Sequence, residues 1–244
     1  MKGMVQKLPP SKVPDRTSSG NSVDYAMEGR RLRSNSVDYA MEGRRLLELV
    51  NLGAEGAPAR YSPCDPLWRH PETSATLFVG GSQAASNREM LRERRITRIV
   101  NCQDSDGRNY FEGDPQLVYL KFPIGRWRST RGVLDGADGT WAFWEEYFSF
   151  VFQSLRDGHN VLVHCLAGAH RAGTAGIAIL MLILGLEWQP AAAAAKCLRS
   201  AIEPIGGFPE VLQALDKSRS KRQDGVLGVL GLGAACGVQF QDSA

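Results

Sequence analysis

The stretch VLVHCLAGAHRAGT, Val161 to Thr174, decides the fold of this chain of 244 residues. Its apolar first residues predict a short buried strand, and the apolar run after Arg171 predicts a core helix. Small residues connect the two, so consecutive backbone N–H groups can curl around one anion. The first turn of the helix adds its positive end to that site. The stretch therefore predicts an anion-binding loop between the central strand and a helix of an α/β sheet.

Two reactive side chains bracket this loop. Cys165 follows the strand, where nearby N–H groups and a cation favour the thiolate, which is the nucleophilic form. Arg171 carries a planar fork of donors that matches two oxygens of a phosphoryl group. Together they indicate attack of sulfur on phosphorus and a cysteinyl-phosphate intermediate. The alternative is a buried strand cysteine followed by an arginine that only caps the loop.

The run from His164 and Cys165 to Arg171 resembles the His-Cys-x-x-x-x-x-Arg signature of the cysteine-dependent protein phosphatases. The domain around it is similar to their dual-specificity branch, from Ala75 to Asp216. The other segments that carry the resemblance are Leu77 to Gly80, Ile96 to Asn101, Tyr119 to Ile124 and Ile202 to Phe208.

The resemblance implies a central, mostly parallel sheet flanked by helices. It also implies hydrolysis of phosphotyrosine and phosphoserine or phosphothreonine in proteins, without a metal or a cofactor. Cys165 would be the nucleophile and Arg171 the phosphate clamp, and His164 would anchor the loop by hydrogen bonds to its backbone. The residues expected to hold the phosphate are His164, Leu166, Ala167, Gly168, Ala169 and His170.

The general acid is missing from its usual place. Breaking a phosphomonoester leaves an alkoxide or phenoxide, which a carboxylic acid in a neighbouring loop can protonate. The family has an aspartate shortly after the strand that matches Tyr119 to Phe122, but here the sequence continues as PIGRWR. We expect Asp135, further along this glycine-rich loop, to act as the acid. The alternatives are Asp138, which could instead cap a helix, then Asp104 or Asp106, or no efficient acid at all.

Ala172 is a second departure, because the family usually has Ser or Thr after the arginine. That hydroxyl helps the cysteine leave the phosphoenzyme, so its loss predicts a slow second step, and Thr174 is too far along the helix to replace it. Alanine here resembles relatives that act on phosphorylated glucans. Two alternatives therefore stay open: a slow or inactive phosphate-binding module of the same fold, and a phosphatase for phosphorylated glucan or inositol substrates.

Arg126, Trp127 and Arg128 form the most distinctive recognition feature. Beside the anion-binding loop, two guanidinium groups and an indole would favour an anionic substrate with a flat group. We therefore expect Arg126 to contact the substrate. The alternative is a Trp127 that packs in the core between two solvated arginines.

Composition excludes several other functions. The net charge of +3 gives no general nucleic-acid footprint. The five cysteines form no CxxC pair, which favours a reducing compartment over a disulfide scaffold or a zinc site. We expect a cytoplasmic protein, with the nucleus as an alternative, and no stable membrane insertion, because Ala175 to Leu186 is too short to span a bilayer. Cys102 ends a predicted strand that the resembling family places next to the signature strand, so oxidation could join it to Cys165.

The ends of the chain differ in composition from the middle. Residues 1–60 predict a flexible leader in which a twelve-residue unit, NSVDYAMEGRRL, occurs twice. Each copy is interpreted either as a docking peptide for an unknown partner or as duplicated unfolded chain. Residues 67–216 predict the catalytic domain, and residues 217–244 predict a flexible tail.

Within the catalytic domain, hydrophobic patterning predicts strands that alternate with helices. The predicted strands are Thr76 to Val79, Ile96 to Cys102, Leu117 to Phe122 and Val161 to Val163. The predicted helices are Ser82 to Arg95, Trp141 to Leu155, one that opens at Arg171, Pro190 to Ile202 and Pro209 to Leu215.

Overall fold

The computed structural model describes residues 62–104 and 107–220. The predicted leader with its duplicated unit, most of the predicted tail, and Asp106 lie outside the described residues. The strands are β1 Cys64–Arg69, β2 Thr76–Gly80, β3 Ile96–Asn101, β4 Val118–Lys121 and β5 Asn160–His164. The helices are α1 Ser82–Ala85, α2 Arg88–Glu93, α3 Ala137–Arg156, α4 Arg171–Leu184, α5 Trp188–Leu198 and α6 Phe208–Ser220, with a 3-10 helix at Ile124–Arg128.

The five strands form one sheet in the order β1-β2-β5-β3-β4. β5 is the central strand and pairs in parallel with both β2 and β3, and β4 continues the parallel part beside β3. β1 is antiparallel to β2. The expected mostly parallel sheet with flanking helices is therefore confirmed. Because parallel strands end at the same edge, residues that follow β3, β4 and β5 meet there.

Each strand of the middle of the sheet contributes to two separate cores, because successive side chains point to opposite faces. Val161 and Val163 of β5 pack with α3, α4, α5 and α6 in the larger core. Leu162, between them, packs with α1 and α2 in the smaller core. The fold is thus three layers, with the long helices on one face and two short helices on the other.

Helix α4 is the core helix that the sequence predicts. Every residue after Arg171 is buried, and Gly176 lets the helix approach the sheet closely. A Cβ at Gly176 would stand 2.7 Å from Leu67 and 2.8 Å from Val79. In the described residues no single helix has the length and apolarity to cross a membrane; α4 and α5 meet that test only as a pair, bent by 116° at their junction.

The bounds of several elements differ from the sequence prediction; α3 begins at Ala137 rather than Trp141, and α5 ends at Leu198 rather than Ile202. β1 begins before the predicted start of the domain, and Pro66 with a nearby register shift hides its strand pattern. The predicted helix over Ser82 to Arg95 is two helices, because the Asn87 side chain accepts a hydrogen bond from the Met90 amide and starts a new one. α6 continues to Ser220, four residues into the predicted tail.

Candidate active site

The signature loop, Cys165 to His170, joins β5 to α4 at the edge where the parallel strands end. Its first residue is fixed by the sheet, since the Cys165 amide donates to the Gly80 carbonyl at 3.4 Å. Across β3 and β5, Asn101 is paired with His164, and the Cys102 amide donates to the His164 carbonyl at 2.8 Å. Cys102 and Cys165 therefore follow neighbouring strands at equivalent positions.

The carbonyl groups of the signature loop all face away from its centre. The Leu166 carbonyl accepts from the Ser82 amide at 2.9 Å, and the Ala169 carbonyl accepts from the Glu203 amide at 3.1 Å. Arg199 donates to the two carbonyls between them, at 3.2 Å to Ala167 and 3.0 Å to Gly168. In a trans peptide the N–H points opposite to the preceding carbonyl. The N–H groups of the loop are thus directed inward, as an anion-binding cradle requires.

Gly168 is the residue that makes this turn possible. Its φ of +70° lies in the left-handed region, which side chains other than glycine rarely adopt. A Cβ at this position would also stand 2.4 Å from the Gly80 carbonyl carbon and 2.8 Å from the Gly81 nitrogen. Both the backbone conformation and the contact with the end of β2 therefore require glycine.

The Cys165 sulfur lies at the base of the cradle. Its side chain is 3% exposed, and the Gly168 amide donates to Sγ at 3.3 Å. This contact directs one of the inward N–H groups of the loop at the sulfur. The structure thus brings the cysteine sulfur into contact with an amide of the loop.

His164 lies directly below the loop and is fully buried. Burial lowers its pKa to about 4, and a hydrogen bond to the Cys165 carbonyl opposes that shift. The contact joins Nδ1 to the carbonyl oxygen at 3.4 Å, so Nδ1 carries the proton of a neutral imidazole. This is the backbone contact expected of His164, and at neutral pH it is made by an uncharged ring.

His170 is placed at the outer end of the loop. Its Nδ1 lies 2.6 Å from the Glu203 carbonyl, a contact in which the ring must donate. The expected contact of His170 with a phosphate stays a prediction, and the structure adds a second role for this ring, which ties the loop to the segment before α6.

A buried ion pair supports the outside of the loop. The Arg199 guanidinium contacts the Asp65 carboxylate at 2.6 Å, and the two side chains are 6% and 14% exposed. The same guanidinium donates to the Ser62 carbonyl at 2.9 Å and to the loop carbonyls described above. Sequence analysis missed both residues, because Arg199 ends an alanine-rich helix and Asp65 precedes the predicted domain.

Arg171 opens α4 at the other end of the loop, and its guanidinium contacts Asp104. The distance between Nη1 and Oδ2 is 2.6 Å, and the side chains of Arg171 and Asp104 are 25% and 56% exposed. Asp104 follows β3, so it reaches Arg171 across the edge where β3 and β5 end. The sequence favours Asp135 and Asp138 over Asp104 as the general acid. Asp104 is nevertheless the carboxylate that forms an ion pair with Arg171 in the structure.

Asp135 and Asp138 occupy the connection between the 3-10 helix and α3. Both are exposed, and Asp135 lines a hollow of about 250 Å³ with residues 127–134, a set without any residue of the signature loop. Asp138 is the second residue of α3, and Gly136 is the N-cap, so the capping alternative for Asp138 is wrong. The acid role of Asp135 stays a prediction.

The segment Arg126 to Arg128 forms the 3-10 helix after β4. Arg126 is exposed, and its contact with a substrate stays a prediction. Trp127 packs against the larger core, so close to Gly207 that a Cβ there would stand 2.7 Å from the ring. Arg128 donates to the Gly206 carbonyl and lies over the Trp127 ring at 5.2 Å. Two of the three residues thus join β4 to the start of α6.

Neither Ala172 nor Thr174 offers a free hydroxyl group to Cys165. Ala172 is fully buried. The Thr174 hydroxyl donates to the His170 carbonyl at 2.7 Å within its own helix. This contact agrees with the expectation that Thr174 does not replace the missing hydroxyl.

Comparison with known proteins agrees with this geometry. The family model described as dual specificity phosphatase, catalytic domain, matches residues 77–218, which is more than half of the chain. The chain belongs to the dual specificity phosphatase family. It is accordingly a protein phosphatase, as the signature loop predicts.

Individual relatives cover the same region. Dual specificity protein phosphatase 22-B of Danio rerio is 31% identical over 137 residues, which are 56% of this chain and 68% of that protein. Dual specificity protein phosphatase 22 of Homo sapiens is 29% identical over 141 residues, 58% of this chain and 70% of that protein. The crystal structure of human DUSP28 is similar in fold, with a TM-score of 0.51 and 24% identity over 67% of this chain and 99% of that one.

Proposed function

We propose that this phosphatase cleaves phosphomonoesters through a covalent cysteine intermediate. The Cys165 thiolate attacks phosphorus, an Sγ–P bond forms, and the bond from phosphorus to the ester oxygen breaks. Arg171 holds two phosphoryl oxygens, and the inward N–H groups of the loop bind the charge that develops on them. Water then attacks phosphorus, the Sγ–P bond breaks, and the thiolate and inorganic phosphate are released.

The observation that carries this proposal is the amide contact with Sγ inside a loop whose four carbonyls are held outside. An oriented set of donors around a sulfur supports a nucleophile that lies beside the atoms that would hold the phosphoryl oxygens. It also supports phosphate binding, because the same N–H groups match the oxygens of a phosphoryl group. A cysteine with a purely structural role has no need of this arrangement.

Turnover of 4-nitrophenyl phosphate by the purified, reduced, metal-free protein tests the mechanism. We expect Cys165→Ser to abolish turnover while it still binds inorganic phosphate, and Cys197→Ser, a half-exposed cysteine in α5, to leave turnover unchanged. Turnover that survives in Cys165→Ser would overturn the proposal. Phosphate binding by the native chain without turnover would instead support the binding-module alternative.

We further propose phosphotyrosine and phosphoserine or phosphothreonine in proteins as the substrates. Family membership supports a phosphoprotein substrate, and the exposed Arg126 beside β4 supports one with additional negative charge. Arg126→Ala should raise KM for an acidic phosphopeptide much more than for 4-nitrophenyl phosphate. Higher kcat/KM on a phosphorylated glucan or inositol than on any phosphopeptide would favour the second alternative.

We propose a reducing compartment as the cellular site of action. Cys64, Cys102, Cys165 and Cys197 are free thiols in the described part of the chain, and a nucleophilic thiolate is lost when it is oxidised. This supports a reducing compartment, the cytoplasm or the nucleus. Imaging of the full chain, with and without residues 1–60, would test the location and any docking role of the duplicated unit.

A further inference from the structure

We propose that Asp104 is the general acid of this phosphatase. The inference rests on the proposed cysteine mechanism. It assigns the acid that is missing from the segment after β4. A carboxyl group that protonates the leaving oxygen must lie within reach of the phosphoryl group in the cradle. Asp104 meets that condition, since its Oδ2 is 2.6 Å from Nη1 of the Arg171 that holds the phosphoryl oxygens.

Asp104 also lies against the segment where the family carries its aspartate. A Cβ built on Gly125 would stand 2.8 Å from the Asp104 Oδ1. Gly125 belongs to the 3-10 helix that follows β4, and a larger residue there would displace this carboxylate. The Asp104 side chain therefore arrives from the end of β3 and contacts both Arg171 and the segment after β4.

Asn101 fixes the loop that carries Asp104. Its side chain is fully buried at the end of β3, and its Oδ1 accepts from the Gln103 amide at 3.0 Å. Its Nδ2 donates to the Gly107 and Arg108 carbonyls, each at 3.2 Å, on the far side of the loop. One buried amide thus holds both ends of the loop, which limits where Asp104 can move.

The ion pair between Asp104 and Arg171 sets the order of the proposed proton transfers. When the phosphoryl dianion binds Arg171, it takes the place of the Asp104 carboxylate in that ion pair, and Asp104 takes up a proton from solvent to act as the acid. As the P–O bond breaks, its electron pair goes to the leaving oxygen, which takes the proton from Asp104. In the second step the Asp104 carboxylate accepts a proton from the attacking water, and it releases that proton to solvent when inorganic phosphate leaves and the ion pair with Arg171 re-forms.

The test compares two esters with leaving groups of different acidity. Loss of an acid slows release of a basic alkoxide or phenoxide far more than release of an acidic phenol. For Asp104→Asn we expect kcat/KM on phenyl phosphate to fall about 100-fold, and on 4-nitrophenyl phosphate by no more than about threefold. The fall of kcat/KM for phenyl phosphate at high pH should also disappear, which a structural effect would not produce.

Three further variants complete the comparison. Asp104→Glu should recover part of the phenyl phosphate activity because it keeps a carboxyl group. Asp135→Asn tests the acid predicted from sequence. Asp157→Asn is the matched control, an exposed aspartate that follows α3 at the opposite end of β5, and it should behave as the native chain.

The outcomes separate this inference from the mechanism on which it rests. Equal rates of native chain and Asp104→Asn on phenyl phosphate would overturn the inference, as would faster rates on both esters, which would mean that Asp104 only blocks Arg171. A selective loss in Asp135→Asn would transfer the role to Asp135. Turnover that survives in Cys165→Ser would instead overturn the cysteine mechanism, whatever Asp104 does.

Discussion

Arg199 and Asp65 form a buried ion pair behind the signature loop, with 2.6 Å between Nη1 and Oδ2. Asp65 belongs to the antiparallel edge strand β1, and Arg199 follows α5, so the pair joins the end of this helix to the edge of the sheet. Arg199 also donates hydrogen bonds to the carbonyls of Ala167 and Gly168. The orientation of the loop amides therefore depends on a residue that never faces the substrate.

Replacing Arg199 should damage both stability and turnover. Arg199→Ala leaves the Asp65 carboxylate buried without its partner, so we expect the free energy of unfolding to fall by about 3 to 5 kcal/mol. It also releases two loop carbonyls, so kcat on 4-nitrophenyl phosphate per folded molecule should fall. Urea unfolding and active-site titration measure the two effects. Asp65→Asn, which keeps the contacts of Arg199 with the loop, should retain more kcat, and a native kcat in Arg199→Ala would contradict this role.

Asn101 should matter to esters that need an acid. Asn101→Ala removes the amide that holds both ends of the Asp104 loop, and it leaves buried backbone groups unpaired, at about 1 to 3 kcal/mol. We expect kcat/KM to fall more on phenyl phosphate than on 4-nitrophenyl phosphate. The control is Asn87→Ala, which removes the cap of α2 and costs about 1 kcal/mol of stability. If kcat/KM fell selectively on phenyl phosphate in both variants, lost stability alone would explain the effect.

Ala172 predicts a phosphoenzyme that breaks down slowly. Rapid mixing of the native chain with 4-nitrophenyl phosphate should give a burst of nitrophenol close to one equivalent, followed by slow turnover. Ala172→Ser restores a hydroxyl beside the cysteine, so kcat should rise several-fold and the burst should shrink. Ala175→Ser adds the same atom one turn further along the buried helix and serves as the control. Equal kcat in the two variants would argue against the role of position 172.

His164 makes stability depend on pH. Burial lowers its pKa to about 4, whereas in the unfolded chain it is near its ordinary value of about 6.5. Between these values the unfolded state binds more protons, so stability is full above pH 6.5 and is lost as the pH falls toward 4. From pH 7 to pH 4.5 this loss should be roughly 2 to 3 kcal/mol.

Urea unfolding of the native chain and of His164→Gln across this range isolates the His164 contribution. The difference between their slopes against pH should disappear above about pH 7. His159→Gln, at the turn before β5, is the control for loss of an imidazole elsewhere. Parallel curves for the native chain and His164→Gln would contradict a buried, neutral His164.

Cys102 should respond slowly to oxidation of the active site. Full burial first, and then the neighbouring Cys165, raise the pKa of Cys102 well above its ordinary value, and Arg171 opposes the shift. The neutral thiol is a poor nucleophile. After mild peroxide we therefore expect peptides linked through Cys102 and Cys165 to form faster at pH 9 than at pH 7. Mass spectrometry with Cys102→Ser as the control would detect them, and their absence at both pH values would exclude this switch.

The sequence by itself determined the signature loop and the layers around it. A cysteine, an arginine and a glycine that must adopt a positive φ all lie within one short stretch, and the apolar strand and helix on either side predict where the stretch sits. These features are local, so backbone geometry and hydrophobic periodicity suffice to predict them. The mostly parallel sheet was what the family resemblance implied.

Tertiary structure alone decided what surrounds that loop. Asp104 meets Arg171 across 67 positions of the chain, and Arg199 meets Asp65 across 134. Neither contact leaves a local pattern in the sequence. From sequence alone, a carboxylate in a loop is expected to be solvated. Only the folded sheet brings the ends of β3 and β5 to one edge. The sequence favours Asp135 as the acid from its place in the glycine-rich loop after β4. The distance that governs proton transfer is the one in space, and the packing of β3 against β5 sets it.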